Sequence, residues 1–274
     1  MNFQPIVGQG GYAGWRLLQR TGELQRSLVA KELSVARDVA YVRERLGSTE
    51  TAEALVADYR LRHTALSAFG LEDDVNNRFF IRKVLESDLD DPKSLANRLG
   101  DKRYLALAEA FGFGAGSGPG KDLADEIAER HISAELERRV GTLDGNLRLA
   151  MNAQRELARI GESAASDNIR WYNIIGSAPL RKVVEGALAL TSDFIKLPVE
   201  KQVEQLKQRT AAMFGSGSPS VFGDSENLEK FIQKFLIRAE MISPVQSSYS
   251  AALLLLSNSA SRPVSGLPVV RYGG

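Results

Sequence analysis

At 274 residues, 43% apolar and 25% charged, the chain has the make-up of a folded globular protein, and its length suits one hydrophobic core or two. With 35 basic against 34 acidic residues the net charge is +1, which excludes a general attraction to nucleic acid or anionic membrane. Cysteine is absent, so disulfides, thiolate metal sites and cysteine nucleophiles are excluded.

In chain order, "MNFQPIVGQGGYAGWRLLQR" lacks a basic start followed by an apolar stretch and predicts no secretory signal. Residues 1–30 read as a flexible N-terminal arm and residues 31–242 as the helical domain. From Leu24 to Leu46, apolar residues recur at helical spacing through Leu28, Val35, Val39 and Val42. A second helix is predicted from Thr51 to Phe69, with Leu55, Val56, Tyr59 and Leu66 inward and Gly70 as its stop. Glu72, Asp73 and Asp74 then precede a helix over Val75–Glu86, whose late Arg82 and Lys83 suit the helix dipole. "DDPKSLANRL" places Asp91 as an N-cap with Pro92 at the first helical position. Asp101 caps "KRYLALAEAF", which sets Tyr104, Leu107, Ala108 and Phe111 on one face before Gly112.

"GFGAGSGPG", Gly112 to Gly120, reads as a flexible joint and leaves a sub-boundary open near 112–120. Asp122–Val140 and Asp144–Ile160 carry the longest helical patterns and predict a hairpin of helices. Shorter helices follow over Asn168–Ile175, Leu180–Leu190, Pro198–Met213 and Asn227–Ile242, the last with Ser225 as its cap. Residues 243–274 read as a C-terminal segment and tail. Their apolar run, Ala251 to Leu256, is too short to span a bilayer, which takes about 20 residues. The fold class predicted is all-α: a compact multi-helix bundle of mostly short helices, with one longer hairpin between the arm and the tail.

The motifs offer little chemistry. Gly8-x-Gly10-x-x-Ala13 has the spacing of a dinucleotide-binding turn, but helical pattern surrounds it where strands are needed. "GAGSGPGKD" departs from a phosphate-binding loop at Ala115 and at Asp122. The acidic groups at 72–74 and 88–91 lack the glycine and closing glutamate of a calcium loop and read as helix caps. His63 and His131, the only histidines, read as surface residues without the four-residue spacing of a helical zinc pair. "NIRWYN" and "LGDKRY" mix bases with aromatics, but acids surround both. The expectation is therefore a non-enzyme with no catalytic, cofactor-binding or metal-binding residue. Its partners are expected to be proteins rather than nucleic acid, a membrane interior or a small molecule.

Several stretches are distinctive: "VARDVAYVRERL", "AFGLEDD", "ANRLGDKRY", "NLRLAMNAQRELARI" and "WYNIIGSAPLRKVVEGAL". Together they resemble a bacterial domain-of-unknown-function family often encoded among flagellar genes, over roughly residues 35–240. That resemblance implies a helical protein of the bacterial cytoplasm or flagellum, acting in flagellar assembly or structure through protein contacts. A cytoplasmic regulator or export chaperone for flagellar subunits is the alternative, and an enzyme of unknown type stands behind both. The densest polar residues mark the expected interaction surface: Leu71, Glu72, Asp73 and Asp74 on one side, and Asn97, Arg98, Asp101, Lys102, Arg103 and Tyr104 on the other.

Overall fold

A computed structural model describes residues 3–242. The chain divides into two units, 1–239 and 240–274. Of the second, only 240–242 are described, so the expected tail at 243–274 lies outside the described residues. Those described form thirteen α-helices with short 3-10 turns and no strand, as the helical periodicity required.

The helices run in order α1 (Gly11–Ala30), α2 (Leu33–Arg45), α3 (Ala52–Ala57), α4 (Tyr59–Ala68) and α5 (Arg78–Leu85). Next come α6 (Leu95–Arg98), α7 (Lys102–Phe111), α8 (Leu123–Leu143) and α9 (Gly145–Glu162). The set ends with α10 (Asp167–Gly176), α11 (Ala178–Ala187), α12 (Val199–Phe214) and α13 (Ser225–Ile242). None of them is long and apolar enough to cross a membrane.

The centre is α8, which touches α1, α2, α4 and α9. Its buried residues pass around the helix, from Leu123 and Ile127 through Ala128, His131 and Ile132 to Val140. A helix covered on several sides shows only a weak apolar stripe. Two core clusters meet along it. Leu123 and Ile127 join Leu55, Leu66, Ile81 and Phe111 in one. Ile132, Leu136 and Val140 join Trp15, Leu157, Trp171 and Phe231 in the other.

The predicted arm is corrected. Residues 11–30 form a helix with Trp15 and Val29 fully buried and Leu18 nearly so. The segment before it is held as well. The Gln25 amide, itself buried, bonds both the N–H (2.9 Å) and the carbonyl (3.0 Å) of Ile6. Arg139 ties the Phe3 carbonyl (3.1 Å) to the Glu32 carboxylate (2.7 Å). The glycines of "GQGGYAG" permit close approach rather than flexibility. Gly10 has φ 75°, and a Cβ on it would stand 2.7 Å from Asp144 Oδ2. That carboxylate accepts the Gly11 N–H (2.8 Å) through Oδ2 and caps α9 through Oδ1 at Asn146 (2.8 Å).

The expected helix over 51–69 is two helices, broken where Asp58 leaves helical geometry to cap α4 at Leu61 N–H (3.0 Å) and to accept from Tyr41 OH (2.6 Å). Asp91 and Pro92 lie in a turn, and α6 starts only after Ser94. Asp224, not Ser225, caps α13, accepting from Asn227 N–H at 2.9 Å.

The start of the glycine-rich stretch after α7 is packed, whereas Gly116, Gly118 and Gly120 face open space. A Cβ on Gly114 would stand 1.9 Å from the Ser87 carbonyl oxygen, and Phe113 stacks on Phe111 at 5.7 Å. Buried residues on both sides of it, Leu107 and Phe111 before and Leu123 and Ile127 after, share one cluster. The hairpin of α8 and α9 is present, joined through Asp144 alone. His131 is corrected too: it is 1% exposed, on the side of α8 that meets α4 at Ser67, while His63 is half-buried.

Candidate interaction surface

The structure gathers most of the ten expected surface residues into one polar clamp. Asp101 starts α7 by accepting the Arg103 N–H (3.0 Å), and its carboxylate also grips the Arg103 guanidinium (2.7 Å). The same guanidinium donates to the Gly70 carbonyl, fastening the turn that ends α4. Tyr104 OH donates to Asp74, whose other oxygen accepts from Asn77 (2.6 Å). Burial and the Asp74 carboxylate together raise the Tyr104 pKa, so the phenol stays a donor. Lys102 Nζ reaches the Asn97 carbonyl (3.0 Å), and the Asn97 amide bonds the carbonyls of Leu89 and Asp91, both at 2.9 Å. Glu72 pairs with Arg148 of α9 at 2.8 Å. Leu71 is a core residue at 2% exposure, whereas Asp73 and Arg98 remain exposed. The local density that marks these residues in the sequence thus serves folding directly, by closing caps and turns with local partners and by tying them to Gly70, Asp74 and Arg148, 30 or more positions away.

Beside this clamp lies a trench that no local motif announces. Two open clefts, of about 730 and 1220 Å³, meet at Phe69, Arg103, Asn152 and Arg155. At the floor, Arg155 binds Glu137 of α8 and Glu156 (3.1 Å), and Arg159 binds Glu156 at 3.0 Å. Burial pushes the Glu137 carboxyl above its ordinary range against the pull of Arg155. For Glu156, burial acts in the same upward direction, but Arg155 and Arg159 outweigh it and hold the carboxyl low. Glu109 is raised by burial in spite of Arg159 and Lys102. The Asn152 side-chain oxygen is buried with no hydrogen-bond partner. One wall is set where the chain just before α7 passes the end of α10: a Cβ on Gly176 would lie 2.8 Å from the Gly100 carbonyl oxygen.

Of the expected surface, Glu72, Lys102 and Arg103 line the trench. Asn152, Arg155, Glu156 and Arg159 were missed. Their signal was present in "NAQRELAR", where Arg155 and Arg159 are one helical turn apart with Glu156 between, but such spacing is common on solvated helices.

Residues 68–231 match the family model described as "Protein of unknown function (DUF1217)". The chain belongs to the DUF1217 family. The DUF1217 match takes in both the clamp and the trench residues. The chain is also similar to a protein of Agrobacterium tumefaciens known from an X-ray crystal structure, with a TM-score of 0.71 and 27% identity over 88% of this chain and 99% of that one. No curated protein matches.

Proposed function

We propose that this DUF1217 protein acts in flagellar assembly or structure through protein–protein contact. The flagellar part of the reading is supported by the motif resemblance of residues 35–240. The contact part is carried by one observation, the pair of outward aromatic rings. Phe79 is 68% exposed with Arg82 5.4 Å from its ring centre, and Tyr59 is 61% exposed over the buried Arg62, 5.5 Å from its ring centre. Large aromatics and arginine are the residues that protein interfaces concentrate at their energetic centres. The two rings belong to neighbouring segments, since Arg62 Nε of α4 donates to the Val75 carbonyl (2.8 Å) just before α5.

Fractionation tests the proposal. The protein is expected in flagellar particles purified from its own host, and the double variant Phe79→Ala, Tyr59→Ala is expected to fold yet leave those particles. Recovery only from cytoplasm, bound to a free flagellar subunit, would favour the export-chaperone alternative. Absence from both fractions would overturn a flagellar role.

A further inference from the structure

The trench points to a partner of particular chemistry, an inference that rests on the protein-contact reading and deepens it. Seven cationic side chains line its two clefts against four carboxylates, and their placement matters more than their number. Two of the carboxylates are at the floor: the Glu137 and Glu156 side chains are 9% and 20% exposed and both face Arg155. The cations stand higher. Arg148 and Arg159 are 45% and 52% exposed, and Lys182 is exposed. Exposed Glu109 and half-buried Glu72, the latter paired with Arg148, share the rim, so an approaching chain meets a rim in which cations outnumber carboxylates before it reaches the neutralised floor. Such an arrangement attracts and orients acidic partners, most strongly at low salt.

A second observation separates a peptide from a free anion. The Asn152 side-chain oxygen sits where the clefts meet, buried and without a donor, although buried polar atoms are nearly always bonded. Inorganic phosphate or a lone carboxylate would crowd this acceptor. A peptide brings backbone N–H groups as well as carboxylates. We propose that the trench seats an extended acidic segment of a protein partner, with carboxylates on Arg148, Arg159 and Lys182 and, once the Asn152 amide swings out from cover, a backbone N–H donated to its Oδ1. The aromatic pair at Tyr59 and Phe79 does not line the trench, so the two surfaces can be tested apart.

The probe is a fluorescein-labelled peptide of alternating glutamate and glycine, titrated with the full-length protein and followed by anisotropy. Binding is expected at low salt, weakening steeply as salt is added. The double variant Arg159→Glu, Lys182→Glu should bind at least about tenfold more weakly. Since Arg159 also pairs with Glu156, Lys182→Glu alone, with no change in circular dichroism, keeps the test independent of folding. Lys201→Glu on α12, away from the trench lining, should bind as the wild type does. An Asn152→Leu variant should weaken the peptide while leaving its salt dependence unchanged.

Absence of binding by the wild type, or equal loss in the Lys201 variant, overturns the trench assignment. Displacement by inorganic phosphate at matched ionic strength overturns the peptide in favour of a small-anion site. These outcomes leave the flagellar fractionation result untouched, and a failed fractionation leaves the peptide titration untouched.

Discussion

Replacing Trp15 with alanine is expected to destabilise the protein by about 3–5 kcal/mol, the usual cost of emptying a large buried aromatic site. Trp15 is fully buried, and its indole N–H donates to Glu229 Oε2 at 3.0 Å, joining the start of α1 to α13. The substitution removes apolar contacts and also strands a carboxylate that had a donor. Urea unfolding followed by circular dichroism measures the effect as a lower midpoint at an unchanged slope. Glu229→Ala should reproduce a small part of the loss, on the order of 1 kcal/mol, because it removes the hydrogen bond without the cavity. If residues 1–30 were a loose arm, both changes would leave the midpoint where it was.

The second large effect is a loss of stability on acidification, centred on His131. Its Nδ1 lies 3.1 Å from Ser67 Oγ on α4, and neither its Nε2 nor the buried hydroxyl of Thr64 on the same α4 has a partner. Burial lowers the His131 pKa, with Glu135 and Asp38 pulling it up and His63 and Arg138 pushing it down. The ring is therefore neutral in the fold and protonated more readily in the unfolded chain. Between the lowered folded value and the unfolded value of about 6.5, the unfolded state binds the extra proton, so stability falls as pH falls. The slope is about 1.4 kcal/mol per pH unit inside that window. Above it the contribution is fully present.

His131→Asn keeps a donor for Ser67 and removes the titration. The stability difference between wild type and variant should thus shrink as pH drops below about 6.5, by up to that slope. The raised carboxyls of Glu109 and Glu137 titrate in both proteins and cancel in this comparison. A difference that stays constant with pH would show that His131 is not buried neutral.

Legibility followed the range of the forces involved. α7 was readable from end to end because its cap, Asp101, and its left-handed stop, Gly112 at φ 62°, are both local signals. The same holds for Gly70, at φ 69° after α4. What could not be read depends on partners far along the chain. Asp58 looks like any polar residue inside an apolar pattern, and its break is reinforced by Tyr41 on a different helix. The glycines near the N-terminus resemble a flexible arm until Asp144 is brought beside them, across 133 positions. His131 in "AERHISAE" is flanked by charges that point elsewhere once α4 covers its face.

The polar clamp shows the same division. Local composition located Asp101, Arg103 and Tyr104 as unusual, and the structure gives the reason, since they hold α7 to the turn after α4. The trench was invisible because its walls come from α4, α7, α8, α9, α10 and α11 at once. "IRKVLES" and "LRKVVEG" both form helices that bury the first, fourth and fifth residues, and each carries an arginine–glutamate pair one turn apart, Arg82–Glu86 and Arg181–Glu185.

The measurement that bears most directly on the proposed role is deletion of the gene in its own host, scoring swimming and counting flagella by electron microscopy. Loss of swimming together with missing or shortened flagella, restored by the wild-type gene, is the expected result. Unchanged swimming with a normal number of flagella would contradict a role in flagellar assembly or structure.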